Sequence, residues 1–392
     1  MSPPQLGHRS PPVLVDDAMR ETFLRVPPDD PATLARASAV CTAWRGIISD
    51  ADFGRQYRAF HGAPPVLGFL YNCYYGHTSH FISTTASSRS PACHDREDWW
   101  ALDSRHGLVL FHSHHDSWGI RDLAVCDIIT HDWWSVPAHP SPEWSDVNRR
   151  WKAAVLCDHR DSSQGAFLVA LVGSNNRAIF ASVYSSEAGE WSDTISIEKR
   201  NAYQYHNVEV EHTGHSAVVG NKVYVPCGGS SLVEYEMVVQ ELVVINVQAL
   251  LRSNFLVGAE DGSLLFATVD DEVLRLWWME PGLDFTAVKR RVIDLEPLLP
   301  RNAISCEVSV VGFAEGAGAI FLRADETDAL YTVELSSRRT KKIHCAIPSD
   351  KVMPYMSFYT GGASLLMWRA WCWVLEGQSA LDPVIHSQHS SL

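Results

Sequence analysis

The stretch VLVDDAMRETFLRVPPDDPATLARASAVCTAWRGIISDADF, which runs from Val13 to Phe53, decides how the first part of the chain folds. It predicts three short helices separated by proline and aspartate residues. Asp16 and Asp17 can cap the first helix. Pro27 and Pro28 end it, because proline interrupts helical hydrogen bonding. The second helix follows almost at once, which predicts a compact helical module.

The start of the second helix is marked by Asp30 and Pro31. Asp30 occupies a typical N-cap position, and Pro31 fits the first helical position, where its missing N–H has no partner to lose. Apolar side chains at helical spacing continue through the second and third helices, at Leu34, Ala37, Cys41, Trp44 and Ile48. Gly46 weakens the third helix by about 1 kcal/mol relative to alanine.

This module is rich in apolar side chains for its size. A unit of about 40 residues rarely forms a stable core without a disulfide, a metal or a partner. Cys41 has no second cysteine nearby, and the stretch holds no set of metal ligands. We therefore expect its apolar side chains to pack against another surface, either on the same chain or on a partner protein.

The order of residues in this stretch resembles an F-box, the helical module that binds the Skp-type adaptor of SCF ubiquitin ligases. The chain departs from the family at Val15, where proline is usual, and at Thr22, where an aliphatic residue is common. The resemblance implies a Skp-type adaptor as partner and, through it, a cullin and a RING subunit. The adaptor-binding residues that it implies are Leu14, Phe23, Leu24, Val26, Pro27, Leu34, Val40, Trp44 and Ile48.

Composition limits the classes of function. Of 392 residues, 46% are hydrophobic and 20% are charged, which is typical of a folded protein. The net charge of −14 argues against a nucleic-acid partner, which would require a basic surface. The nine cysteines show no regular spacing, so we expect reduced thiols. The sequence contains no apolar run long enough to span a membrane, and residues 1–12 do not resemble a signal peptide. We expect an intracellular protein of the cytoplasm, the nucleus or both, without a membrane partner.

After a connector expected at residues 55–65, the pattern changes to short apolar runs bounded by turn residues. Val66–Tyr71 is the first, and more than ten similar runs follow. Many short strands with turns between them predict an all-β domain, either a propeller or a two-sheet sandwich. A strand near Met356–Tyr359 is a candidate to pair with Val66–Tyr71 and close a ring.

A weak internal repeat favours the propeller. Several runs end in a polar turn and are followed by a second run, often one that opens with tryptophan. Equivalent points recur at intervals of about 50 residues, which is typical of kelch-like blades: Tyr71, Cys126, Val183, Tyr235, Trp278 and Val333. We predict a degenerate kelch-like β-propeller of about six blades, in which tryptophans such as Trp133, Trp191 and Trp277 pack between blades.

The resemblance extends into this domain. The junction at Ala63–Pro65 and blocks such as Asp261–Leu265, Val310–Glu315 and Met353–Tyr359 are similar to those of plant F-box proteins, especially those of grasses. The expected organisation is a disordered N-terminus at 1–12, an F-box at 13–54, a connector at 55–65, an F-box-associated β-propeller at 66–360 and an atypical tail at 361–392.

Few residues in the sequence suggest a catalytic or metal-binding role. A metal site at His112, His114, His115 and Asp116 is disfavoured, because alternation along a strand turns neighbouring side chains apart. A thiol nucleophile at Cys93–Asp95 is equally weak, because adjacent residues rarely point at one reacting atom. The carboxylates near predicted strand ends show no pairing: Asp158, Asp161, Asp270, Asp271 and Glu315.

The sequence therefore predicts no catalytic residue, no metal and no cofactor. It favours a substrate-receptor subunit of an SCF-type ubiquitin ligase, which holds an unknown target protein on the β domain. Two alternatives stay open. One is a propeller that acts as an enzyme or small-molecule sensor, and the other is an interaction scaffold outside any ligase.

Overall fold

The computed structural model describes residues 16–73, 78–84, 98–113, 120, 122–129, 132–146, 150–157, 166–199, 209–211, 214–228, 231–247, 255–282, 288–305, 307–324, 329–346 and 351–358. The chain divides into two compact units. The helical unit contains residues 16–62 and Phe358, and the β unit spans residues 63–357.

Four helices form the helical unit: α1 Asp16–Leu24, α2 Pro31–Val40, α3 Thr42–Ile48 and α4 Ala51–His61. α1 ends before the two prolines, and Pro31 opens α2, as the sequence predicts. Asp30 occupies the N-cap position, but its carboxylate accepts from the Thr33 hydroxyl at 2.6 Å and makes no cap bond to the backbone. An extended Cys41 separates α2 from α3.

The fourth helix differs from the sequence prediction, which placed three helices here and a connector at residues 55–65. Asp50 caps the start of α4, and its carboxylate accepts from the Asp52 backbone N–H at 3.0 Å. Gly62, where φ is +74°, caps the end of the helix. Phe53 and Tyr57 lie one turn apart on its inner face and are buried. These two side chains complete the hydrophobic core of the helical unit, which α1, α2 and α3 alone would leave incomplete.

The β unit consists of six antiparallel sheets, here called blades 1 to 6. In each four-stranded blade the strands follow chain order: β3–β6 in blade 1, β12–β15 in blade 3, β16–β19 in blade 4 and β20–β23 in blade 5. Blade 2 contains β7–β10, and β11 also pairs with β9. Blade 6 has the order β2-β1-β24.

The strand bounds are β1 Val66–Cys73, β2 Thr78–Ser83, β3 Trp99–Arg105, β4 Leu108–Ser113, β5 Leu123–Asp127, β6 Asp132–Val136, β7 Trp151–Cys157, β8 Phe167–Ser174, β9 Ala178–Ser185, β10 Glu190–Trp191, β11 Ile195–Glu198 and β12 Ala217–Val219. The later strands are β13 Lys222–Cys227, β14 Ser231–Glu236, β15 Glu241–Asn246, β16 Phe255–Glu260, β17 Ser263–Asp270, β18 Val273–Met279, β19 Val288–Asp294, β20 Val308–Ala314, β21 Ala319–Ala324, β22 Ala329–Glu334, β23 Thr340–Ala346 and β24 Met353–Met356. A helical turn, α5 Arg301–Ile304, precedes β20.

Blade 6 closes the ring with strands from both ends of the β unit. β24 pairs antiparallel with β1, and Leu70 lies opposite Met353. The predicted closure is present, although the late strand is Met353–Met356 and therefore begins three residues before the predicted one. The six-bladed β-propeller is confirmed, and the two-sheet sandwich is wrong.

The predicted repeat corresponds to real hairpins between the third and fourth strands of the blades. Cys126, Val183 and Tyr235 lie in β5, β9 and β14, and Trp278 and Val333 lie in β18 and β22. All five strands are third in their blades. The sixth point is wrong: Tyr71 lies in β1, which is the middle strand of its sheet, because blade 6 takes its first strand from residues 353–356.

Side chains of neighbouring blades form the cores of the propeller. Trp133 packs in a cluster that joins blades 6 and 1, Trp191 in one that joins blades 1 and 2, and Trp277 in one that joins blades 3 and 4. The prediction that these tryptophans pack between blades is confirmed. Stacking of this kind buries the faces that an isolated blade would leave exposed.

Candidate functional site

Three of the nine predicted adaptor-binding residues form the internal core of the helical unit. Phe23, Leu34 and Ile48 are only 4%, 1% and 0% exposed. They pack with Phe53 and Tyr57 of α4. Their burial within the unit differs from the sequence interpretation, in which a partner covers them, because α4 supplies the missing apolar surface. A partner could reach these three side chains only by opening the unit.

Five others are accessible to a partner. Val40 is 64% exposed at the end of α2, and Pro27 is exposed in the turn after α1. Leu24, Val26 and Trp44 are half-buried at the edge of the helical core. Leu14, the ninth, lies outside the described residues. The accessible part of the predicted face is thus the α1–α2 turn, the end of α2 and one side of α3.

Contacts from inside the unit fix this face. The Trp44 ring stands edge-on to Phe23, with 5.3 Å between ring centroids. The Tyr57 hydroxyl donates to the Val26 carbonyl at 2.7 Å, and His61 Nε2 lies 2.8 Å from the Leu24 carbonyl. Two side chains of α4 therefore hold the end of α1.

Sequence reasoning missed these roles of α4, although Phe53, Tyr57 and His61 repeat at helical spacing. It also missed Phe60, an apolar side chain of α4 that is 60% exposed.

A second candidate site lies in the middle of the propeller. Arg105, at the end of β3, forms an ion pair with Asp103 at 3.0 Å and another with Glu315. Its guanidinium also donates to the Ser216 carbonyl at 2.8 Å. We call Asp103, Arg105 and Glu315 the central network. The side chains of Arg105 and Asp103 are 9% and 11% exposed and are largely removed from water, whereas that of Glu315 is 30% exposed.

The central network connects most of the ring. The Asp103 carboxylate accepts from the backbone N–H of Val155 in blade 2 at 3.0 Å. The Glu315 carboxylate accepts from the backbone N–H of Ala259 in blade 4 at 3.0 Å. Together with the Ser216 carbonyl just before blade 3, these bonds connect blades 1 to 5. Buried charges require such partners, because isolated charges are strongly destabilised in the interior.

Burial and neighbouring charges shift the pKa values of the ionisable groups at the centre of the propeller. Burial raises the pKa of Glu315, and the Arg105 guanidinium opposes that rise. Burial also lowers the pKa of Lys351 to about 8 and holds the pKa of Lys152 well below its usual range. The pKa of His215 is likewise well below its usual value because the ring is buried, which favours its neutral form.

The central network was not predictable from local pattern. Glu315 is one of the five carboxylates near predicted strand ends, and the structure pairs it with Arg105, which also pairs with Asp103. Asp270 instead forms an exposed pair with Arg275 at 3.6 Å. Asp271 lies in a turn with φ of +48°. Asp158 and Asp161 lie outside the described residues.

The candidates for metal and thiol chemistry are mostly outside the described part of the chain, namely His114, His115, Asp116, Cys93, His94 and Asp95. His112 is described, and its ring stands edge-on to Trp151, with 5.5 Å between ring centroids. Among the described residues, no group of three or more His, Cys, Asp or Glu side chains could hold a metal ion. The described helices include none that is both long and apolar enough to cross a membrane.

Comparison with known proteins identifies the helical module. Residues 13–56 match the family model of the F-box domain. Among curated proteins no similar sequence was found. One solved structure with a similar chain is described as the crystal structure of a mitotic checkpoint complex; the match has 10% identity and a TM-score of 0.35, and covers 70% of this chain and 91% of that chain.

A second solved structure with a similar chain is described as the β-propeller domain of Cps50 (Swd1) from Myceliophteria thermophila. The match has 11% identity and a TM-score of 0.34, and covers 71% of this chain and 85% of that chain. Matches with such low identities and TM-scores carry no argument about this protein. An F-box domain of this kind indicates an adaptor-type protein. The chain thus carries an F-box domain at its N-terminus, followed by a six-bladed β-propeller.

Proposed function

We propose that this protein is a substrate-receptor subunit of an SCF-type ubiquitin ligase. The observation that carries the proposal is an F-box domain at residues 13–56 on the same chain as a propeller. F-box domains generally bind Skp1-type adaptors. Through that adaptor the chain would join a cullin and a RING subunit. The proposal implies an intracellular protein, active in the cytoplasm, the nucleus or both.

The adaptor-binding face in this proposal is narrower than the sequence implies. Leu24, Val26, Pro27, Val40 and Trp44 are accessible and would contact the adaptor, together with Leu14. Phe23, Leu34 and Ile48 would instead hold the helices in place from inside the unit. Val40 supports this division best, because an apolar side chain that is 64% exposed is more readily explained by a partner than by the fold of this chain.

The propeller would hold the target protein, and the chain would make no bond itself. Bringing a target close to a charged conjugating enzyme raises the effective concentration of its lysines near the reactive centre. We retain in the proposal an F-box at 13–54, a β domain at 66–360 and the kelch-like, plant-type assignment, which rest on sequence resemblance. Residues 55–65, of which the first part belongs to α4, form the junction between the two in this proposal.

Co-purification of the full-length chain with a Skp-type adaptor tests the proposal. Val40→Asp should reduce adaptor binding by at least about tenfold, because a charge would be buried in the interface. The matched control is Val292→Asp, which changes a similarly exposed valine (58%) on the propeller and should leave binding unchanged. Charged substitutions at Phe23 are less informative, since they would also disrupt the core of the helical unit.

The outcomes separate the alternatives. Binding that Val40→Asp destroys and Val292→Asp preserves would support the ligase receptor. Binding unaffected by Val40→Asp would refute the assigned face. If the wild-type chain binds no adaptor, the proposal fails and the interaction scaffold becomes the better hypothesis. The small-molecule alternative is favoured by a different observation, a cavity of about 270 Å³ whose lining includes Asp103, Arg105 and Glu315.

A further inference from the structure

Two segments of the propeller concentrate positive charge in a chain whose net charge is −14. Residues 289–291 lie at the start of β19 in blade 4, and residues 338–342 lead into β23 in blade 5. Together they hold seven cationic side chains, here called the basic patch: Lys289, Arg290, Arg291, Arg338, Arg339, Lys341 and Lys342. Six of the seven residues are exposed, and Arg291 is half-buried. A partner can therefore reach the basic patch from solvent.

The two segments lie at the same end of the propeller ring. β19 and β23 are the fourth and outermost strands of neighbouring blades. Neighbouring blades repeat one strand arrangement around the ring, so their fourth strands begin at the same end. Because each segment lies at the beginning of its strand, the two segments form one basic surface across blades 4 and 5.

Cations of the two blades face one another across the boundary between them. Lys289 lies opposite Trp278 in the β18–β19 pair, with its ammonium 5.4 Å from the ring centroid. Lys342 lies opposite Tyr331 in the β22–β23 pair, with its ammonium 5.9 Å from the ring centroid. Both rings belong to the hydrophobic cluster that joins blades 4 and 5. Opposite residues in an antiparallel pair share a face, so each lysine lies on the face that its blade turns toward the other.

No ion pair among the described residues neutralises the basic patch. The carboxylates beside it have other partners. Glu334 accepts from the Ser337 hydroxyl at 2.5 Å, and Glu260 accepts from the Trp278 indole at 2.7 Å. Asp294 lies at the other end of β19. Like charges that are held close together repel one another, and an acidic partner would relieve that repulsion.

We propose that the basic patch binds an acidic, extended segment of the target protein, whose aspartate and glutamate side chains contact the cations of β19 and β23. The chemistry of the segment follows from charge complementarity, since the rest of this acidic chain repels acidic proteins and leaves this surface as the place for them to bind. The aromatic contacts also limit the freedom that Lys289 and Lys342 lose on binding. This inference rests on the proposed function, in which the propeller holds a target, and adds the chemistry of that target.

Fluorescence anisotropy with the full-length chain, without an adaptor, tests the proposal. The first probe is a labelled peptide of alternating glutamate and glycine, about ten residues long, and the second has glutamine in place of glutamate. In about 50 mM NaCl the glutamate peptide should bind saturably and at least about tenfold more tightly than the glutamine peptide. Its binding should weaken in about 500 mM NaCl, because salt screens exposed charges.

Two results with the wild-type chain would overturn the proposal. The first is the absence of saturable binding of the glutamate peptide up to about 200 μM protein. The second is tighter binding of a single-stranded DNA of about six nucleotides, which carries a similar charge and would make nucleic acid the better partner.

Paired substitutions locate the surface. Lys289→Gln combined with Lys342→Gln removes the two facing cations and should weaken binding of the glutamate peptide by at least about fivefold. The control combines Arg58→Gln in α4 with Arg177→Gln in the turn between β8 and β9, and it removes the same charge at two other exposed positions. The control should bind like the wild type. Equal affinities of all three proteins, or equal weakening in both double variants, would refute a local site.

Adaptor binding and self-association are measured on the same proteins. If the wild-type chain binds the glutamate peptide but no adaptor, the acidic partner stands and the ligase role fails. If it binds the adaptor but not the peptide, the ligase role stands and this inference fails. Sedimentation of the free chain covers one further occupant. A wild-type dimer that the substitutions at Lys289 and Lys342 dissociate would make a second copy of this chain the partner and overturn the assignment to a target.

Discussion

Replacement of Arg105 by methionine should destabilise the propeller severely. The change removes two ion pairs and the bond to the Ser216 carbonyl while nearly preserving side-chain length. Among the described residues, the hydrogen bonds that would remain to Asp103 and Glu315 come from the backbone N–H groups of Val155 and Ala259. Breaking a buried ion pair by removing one partner costs about 3–5 kcal/mol. That is a large part of the roughly 5–15 kcal/mol that stabilises an ordinary domain.

The loss should depend on pH, and the sign follows from Glu315. Burial already raises its pKa, and Arg105 is the main group that opposes the rise. Without Arg105 the pKa of the folded state rises further above that of the unfolded state. The variant therefore loses stability as pH rises through that folded value and recovers it at lower pH, where the carboxyl group is protonated in both states.

Denaturant unfolding followed by tryptophan fluorescence, at pH 5 and pH 8, measures both effects. The double variant Arg105→Met with Glu315→Gln should be more stable at pH 8 than Arg105→Met alone, because it removes the unpaired charge. Equal losses at both pH values, with no recovery in the double variant, would refute the view that unpaired buried charge is the cause. The loss would then reflect packing of the arginine stem.

Two further changes test smaller contacts. Tyr57→Phe removes the bond to the Val26 carbonyl and should weaken the helical unit by about 1 kcal/mol, which hydrogen exchange of the α1 amides would detect; unchanged protection would contradict that role. Gly258→Ala places a methyl group 2.9 Å from the Glu315 carboxylate and should destabilise the propeller by about 1–3 kcal/mol in thermal unfolding. Gly46→Ala is the control, because a Cβ added at Gly46 meets no atom of the described residues within 4 Å, and it should stabilise α3 by up to about 1 kcal/mol. Equal changes in stability for the two variants would refute the close approach at Gly258.

Local signals in the sequence were sufficient for much of the fold. Prolines located the end of α1 and the start of α2, and the alternation of strands and turns located the blades. α4 was missed because residues 55–65 were interpreted from their final Ala-Pro-Pro, and the spacing of Phe53 and Tyr57 was not followed. A periodic pattern shows which side chains share a face, but it does not show whether that face meets the same chain or another protein. The pattern left both possibilities open, and it was the resemblance to an F-box that assigned Phe23, Leu34 and Ile48 to a partner.

The central network and cavity could not be predicted in the same way. Asp103 and Arg105 are separated from Glu315 by most of the propeller sequence, and no spacing rule connects residues at that distance. They meet because the innermost strands of a closed ring converge on one axis. Only the closed ring shows that Arg105 lies between these two carboxylates.

Ring closure by β24 also determines when the protein can fold during its synthesis. β1 and β2 leave the ribosome early, but their innermost neighbour, Met353–Met356, is made only after blades 1 to 5. Until then the early hairpin lacks one partner strand and the space beside blade 1 stays open. Tyr355 then brings its hydroxyl within 3.0 Å of the Gly107 carbonyl, joining the last strand to the first complete blade. Folding of the ring is therefore a late event, and a chain interrupted before residue 353 would leave an unpaired strand edge that is prone to aggregate.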